Sequence, residues 1–179
     1  YVGYNQYYNK PYTTFSDVFS KVKGKVPFVN RKIESWNRNV SEFKMYNVDD
    51  LANLKQTENF TEKSLSHIFE GDLNRRGQSG GYHYDMVEGT SGSIIEGTKS
   101  PALNDAGVYE AKVEVNGIPK EGNDGYSTFF PDHMSPQEVV DTINEAYEAR
   151  VFDTNSRNIY EGISKNGMKI TMYLDSNEK

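Results

Sequence analysis

Val108-Tyr109-Glu110-Ala111-Lys112-Val113-Glu114-Val115-Asn116-Gly117-Ile118-Pro119-Lys120 is the stretch on which the fold turns. Tyr109, Ala111, Val113 and Val115 alternate with Glu110, Lys112 and Glu114, the period-two pattern of a strand with one buried face. Asn116-Gly117 is a tight-turn pair, since both residue types tolerate positive φ. Ile118 and Lys120 then lie on the strand that returns, and the stretch reads as an antiparallel hairpin. The same grammar recurs near the end of the chain. Residues 159–165 and 168–174 flank Asn166-Gly167. There Met168, Ile170, Met172 and Leu174 face a core, and Lys169, Thr171 and Tyr173 face the other way.

Between the hairpins stands Ser135-Pro136-Gln137-Glu138, a capping box with proline at the first helical position. The helix behind it buries Val139, Val140, Ile143, Ala146 and Tyr147 and ends near Arg150. Upstream, residues 61–70 read as a helix, with Thr61 as cap, Ser64 in the capping-box position and Gly71 as terminator. Residues 72–81 read as a loop, 82–87 as a short strand and 88–107 as a long surface loop. Residues 1–14 read as a linker. A short helix capped at Ser16-Asp17 stops at Gly24, and Val29, Ile33, Trp36, Val40 and Phe43 mark one face of a helix over 29–45. Trp36 is read as packing. Asp49-Asp50 would cap a turn through Leu51 and Leu54. The fold class is therefore α+β, with helices first and then antiparallel hairpins with a packed helix. Residues 1–60 form a linker and helical lead-in, and 61–179 the functional domain.

Composition narrows the function. The 179 residues include no cysteine, which excludes disulfides, thiolate metal sites and a cysteine nucleophile. Hydrophobic residues make up 35% and aromatics 13%, so a folded core is expected rather than disorder. No apolar run approaches a membrane span, and no signal peptide is seen; the start at Tyr1 reads as a piece of a longer protein. Residues 1–60 hold nine Lys/Arg against six Asp/Glu, and 61–179 hold eleven against twenty. That −9 balance argues against a tight, sequence-blind nucleic-acid binder, whose affinity rests on phosphate neutralisation. It suits an enzyme with a few local contacts.

Two of the three histidines, His67 and His83, lie beside glycine-containing turns among acids and tyrosines. Histidine alone can both donate and accept a proton near neutral pH, so a close pair suggests an acid and a base acting on one bond. The third, His133, stands ahead of the helix cap and is read as structural. Arg75 and Arg76 are candidate phosphate contacts. A second reading groups His67 and His83 with Asp72 and Asp85 as divalent-metal ligands, residue types that suit such an ion but without a recognised spacing.

Ser66-His67-Ile68-Phe69-Glu70-Gly71-Asp72, then Ser79-Gly80-Gly81-Tyr82-His83, then Ser127-Thr128-Phe129-Phe130-Pro131 together resemble the bacterial EndoU ribonuclease domain. That domain is the toxic C-terminal module of many secreted polymorphic toxins, and the resemblance runs from about residue 61 onward. It implies an EndoU or RNase A-like nuclease core that cuts RNA without metal or cofactor. The resemblance further implies cleavage by 2′-hydroxyl attack that leaves a 2′,3′-cyclic phosphate. It implies His67 and His83 as the catalytic pair with a lysine as third member. Lys120, just ahead of the last motif, is the first choice, Lys112 the second, and Lys169 a further one. Ser127, Thr128, Thr171 and Tyr173 are the implied substrate-binding residues. The family closes with a strand carrying Ser/Thr-x-aromatic-Pro. Here Leu174 follows Tyr173, so this strand reads as the penultimate one and the last strand is expected to be missing. The implied partners are RNA, tRNA among the candidates, and a cognate immunity protein. The implied setting is a secreted effector acting in the cytoplasm of a target bacterium. A metal-dependent nuclease and a non-catalytic binding module remain as alternatives.

Overall fold

The computed structural model describes residues 44–177, so the helices expected over 16–24 and 29–45, and Trp36, lie outside the described residues apart from Lys44 and Met45. What is described is mixed α+β. Strand β1 (Tyr46–Asn47) leads into a 3-10 turn at Val48–Asn53, and α1 spans Glu62–Phe69. A miniature hairpin of β2 (Asp72–Leu73) and β3 (Ser79–Gly80) follows, then β4 (Val87–Glu88), which pairs in parallel with β1. The main sheet comprises β5 (Gly92–Ile94), β6 (Tyr109–Val115), β7 (Ile118–Pro119) and β8 (Tyr126–Phe129). Helix α2 (Pro136–Glu148) leads to a second sheet in the order β11 (Lys169–Tyr173), β10 (Ile159–Ile163), β9 (Val151–Phe152).

The local signals behave as physical devices. In α1 the Thr61 hydroxyl accepts from Ser64 N, and Ser64 Oγ accepts from Thr61 N, so a serine closes the capping box. In α2 the Ser135 side chain accepts from Glu138 N and the Glu138 carboxylate from Ser135 N. Along β6, Tyr109, Ala111, Val113 and Val115 are all buried, as their alternation requires. In β11, Met172 and its neighbours Met168 and Leu174 are buried while Lys169, Thr171 and Tyr173 are exposed.

Strand β6 is flanked on both sides. Gly92–Ile94 pair with Val113–Val115 on one edge. On the other edge β7 and then β8 succeed each other, Val115 opposite Ile118 and Lys112 opposite Tyr126. Between β7 and β8 the chain makes a tight turn at Gly122–Gly125, where Asn123, Asp124 and Gly125 all have positive φ. Lys120 sits at this break, its amide still donating to Val113 O at 2.9 Å.

A core of Phe69, Tyr84, Val87, Met134, Val139, Val140, Ile143 and Met168 joins α1 to α2. Leu51, Leu54 and Phe60 pack against it, so residues 44–60 contribute to this core. A second cluster, with Tyr82, Tyr109, Ala111, Val113 and Phe129, lies on the main sheet, Tyr109 stacking on Phe129 at 5.0 Å. A third joins Ala146 of α2 to Met172 and Leu174.

Several expectations need correction. The strand expected over 82–87 reduces to Val87–Glu88: Tyr82 has φ 60, and the amides of Tyr82 and His83 are spent on the carbonyls of His67 and Ile68 instead of on a neighbouring strand. The loop expected over 88–107 contains β5, and the loop over 72–81 contains β2 and β3. Asn47, not Asp49, caps the 3-10 turn, with Asp50 closing its box. Helix α2 ends at Glu148 with Ala149 as its C-cap, near Arg150 as expected.

Candidate active site

His67 lies in the last turn of α1, where the helix leaves backbone carbonyls without intrahelical partners. The Gly80–His83 segment supplies the missing donors. Tyr82 N donates to His67 O and His83 N to Ile68 O, both at 2.7 Å. This approach is closed to any residue but glycine at position 81. Gly81 has φ 71, and a Cβ there would collide with the His67 carbonyl. The two histidines are thereby tied through the main chain, and their ring centroids lie 5.4 Å apart.

Each ring is held by its Nδ1. That of His83 lies 2.8 Å from Thr128 O, and a carbonyl can only accept, so the proton sits on Nδ1 and Nε2 carries the lone pair. Phe130 N donates to His83 O at 2.9 Å and pins the same residue from behind. That of His67 lies 3.3 Å from Asp72 Oδ1 on β2. Burial pushes the His83 pKa down to about 4, the Thr128 carbonyl and Asp72 opposing and the charges of His67 and Lys120 assisting. His83 is therefore neutral at pH 7.

Lys120 completes the group. Its Nζ donates to Tyr126 O and to Ser127 Oγ, both at 2.9 Å, and burial lowers its pKa. Ser127 is 2% exposed, and its hydroxyl donates to Gly81 O at 2.7 Å. That hydroxyl, expected at the substrate, is engaged inside the protein. Thr128 offers its carbonyl to His83 while its side chain is exposed.

The other lysines go elsewhere. Lys112 Nζ stands 5.4 Å from the Tyr126 ring centroid, and Lys169 pairs with Glu161 at 2.9 Å on the second sheet. Thr171 and Tyr173 share the solvent face of β11 and make no hydrogen bond or ring contact with the histidines. Arg75 and Arg76 are exposed in the β2–β3 connection. His133 is exposed next to the α2 cap. Asp85 is engaged by Lys44 Nζ at 2.5 Å and the Tyr82 hydroxyl at 2.6 Å. Among the described residues, no group of three or more His, Asp or Glu side chains is placed to hold a metal. Sequence reading did not find Asp72 as the partner of His67, nor the Thr128 carbonyl; the latter is main chain and leaves no trace in residue type.

The family model for the bacterial EndoU nuclease matches residues 61–179. The chain belongs to the bacterial EndoU nuclease family. The match begins at Thr61, the cap of the helix that carries His67, and takes in every side chain of the candidate site described above. A Bacillus cereus protein named "Toxin" is 50% identical over 133 residues, which cover 74% of this chain and 24% of that protein. The chain thus spans about a quarter of the length of that curated relative. No solved structure matches. Among the described residues, no helix of this EndoU chain is long and apolar enough to cross a membrane.

Proposed function

We propose that this EndoU domain is a metal-independent endoribonuclease toxin used in competition between bacteria. RNA carries its own nucleophile, the 2′-hydroxyl beside each phosphate. Cleavage then needs a base for the 2′ proton, an acid for the leaving 5′ oxygen and a cation for the charge that builds on the phosphoryl oxygens. His83 suits the base, because it is neutral at pH 7 with its lone pair on Nε2. His67 suits the acid, with Asp72 supporting the imidazolium from Nδ1. Lys120 suits the cation. As the 2′ oxygen attacks phosphorus, its proton passes to His83, the P–O5′ bond breaks, and His67 protonates the departing oxygen. The products are a 2′,3′-cyclic phosphate and a 5′-hydroxyl.

The observation that carries this reading is the 5.4 Å approach of two histidine rings, each oriented through Nδ1 so that Nε2 is left for substrate. Thr171 and Tyr173 are proposed to hold the base, with Arg75 and Arg76 on flanking phosphates. The substrate is an RNA, with tRNA among the candidates. The domain acts in the cytoplasm of a target bacterium after secretion, and a cognate immunity protein protects the producer. Facing a −9 balance over residues 61–179, that partner is expected to present a basic patch.

Alanine at His67 or His83 is expected to cost about 10²–10⁴ in cleavage rate with the fold retained, the scale of one acid–base role. A wild-type rate in either single variant would sink the two-histidine mechanism. RNA should be cut in EDTA, and a strand with 2′-deoxyribose at the cleavage site should not. Loss of activity in the chelator would move the domain to the metal-dependent class.

A further inference from the structure

The geometry points to Ser127 as a positioning residue of this reaction, whose hydroxyl locks the Lys120 ammonium and the Gly81 turn into one unit. Ser127 is 2% exposed, too buried to meet RNA. Its single hydroxyl proton goes to Gly81 O at 2.7 Å, and a lone pair accepts from Lys120 Nζ at 2.9 Å. The direction of both bonds is forced, since a carbonyl cannot donate and an ammonium cannot accept.

An ammonium has three N–H donors. Tyr126 O and Ser127 Oγ take two and leave one free to point at a phosphoryl oxygen. With the alanine side chain the ammonium would keep only Tyr126 O and would swing on its four-carbon stem. Gly81 O, at the turn that precedes His83, would lose its partner as well. Three consecutive residues of β8 thus register both active groups: Tyr126 O and Ser127 Oγ hold the cation, and Thr128 O holds the His83 ring. A shift of about 1 Å in such a group can cost 10²-fold in rate.

This assignment rests on Lys120 as the phosphate-facing cation. Steady-state cleavage of one short RNA would be measured for Ser127→Ala, Lys120→Met and the double variant. Ser127→Ala is expected to lower kcat by about 10- to 100-fold with KM little changed, because positioning acts on the transition state. In the Lys120→Met background the same serine change is expected to cost less than about 3-fold, since residues acting as a unit are non-additive. A wild-type kcat in Ser127→Ala overturns the proposal, and so does an undiminished loss in the Lys120→Met background, which marks a merely structural serine. If Ser127→Ala fails to fold, Ser127→Cys keeps the packing with a weak hydrogen-bonding group and is expected to show the same kcat loss. Wild-type kcat there also overturns the proposal. If Lys120→Met alone leaves kcat unchanged, the reading of Lys120 falls and this one with it. If Lys120→Met is slow and Ser127→Ala is not, only the serine assignment falls.

Discussion

The hairpin of β6 and β7 and the hairpin of β10 and β11 share an Asn-Gly turn, yet they close differently. In the first, Asn116 (φ 51) and Gly117 (φ 74) are both left-handed, and Val115 pairs directly with Ile118. That is the two-residue connection that matches strand twist. In the second, Gly167 (φ 81) alone of the pair has positive φ; Gly167 N reaches back to Ser164 O, and Ile163 pairs with Lys169 across a longer loop. In the first hairpin β6 is paired on both sides, with β5 on one edge and β7 then β8 on the other, and the chain runs on into Lys120. The second packs one face on α2 and leaves the other open, with Ile163 61% and Tyr173 70% exposed. Both hairpins hold a defined register, but the same dipeptide leads to the lysine of the candidate site in one place and to an open face in the other. What surrounds the strand decides, not the turn.

Two glycine substitutions should separate the regions most sharply. Gly81 and Gly162 both lie where a Cβ would strike a backbone carbonyl, that of His67 and that of Ala146 respectively. Gly81→Ala is expected to cut cleavage at least about 100-fold at temperatures where the chain stays folded, because it parts the two histidines. Gly162→Ala pushes β10 off α2, at a cost of about 1–3 kcal/mol, or roughly 5–10 °C in Tm, with kcat intact below the transition. Near-normal cleavage by Gly81→Ala would show that the main-chain tie is not what sets the rings.

The capped helices and both hairpins were legible in the sequence because their signals are local. Ser135 to Glu138 spans four residues, and the β6 alternation lies within seven. Strands β2, β3, β5 and β9 were not legible. They are two or three residues long, too short for a period-two pattern to show, and β5 in addition depends on a partner beyond the long loop that follows it, as Gly92 does against Val115. The histidines were legible by resemblance and by their glycine neighbours. The atoms that aim them were not, since the Thr128 carbonyl belongs to a position any residue could fill.

A pH scan sharpens the contrast further. The unfolded chain binds a proton on His83 near 6.5, and the folded chain does so only near 4. Stability that is fully present above 6.5 should therefore drain away as the pH falls through that window. Tm should drop between pH 6.5 and 4.5, and His83→Gln should flatten part of the drop. The rate should fall on the acid side only when the base itself is protonated, well below pH 6.5. A curve identical in wild type and His83→Gln would show that other groups carry the acid sensitivity.

The smallest expected effects belong to the open face. Thr171→Val and Tyr173→Ala should change stability by less than about 0.5 kcal/mol, as exposed positions do. If they hold the base, KM and base preference should shift while His67 and His83 chemistry is untouched. Unchanged KM on every RNA tried would remove β11 from the substrate surface.

The clasp that β8 places on the site has a consequence in time. His83 meets Thr128 across 45 positions of sequence, and Gly81 meets Ser127 across 46. Contacts of that span form late, after the entropy of closing the intervening loop has been met. Helix α1 and its histidine can form early, but the base has no anchor and the cation no perch until β8 arrives. On the proposed mechanism, a chain in which β8 has not yet docked is expected not to cut RNA.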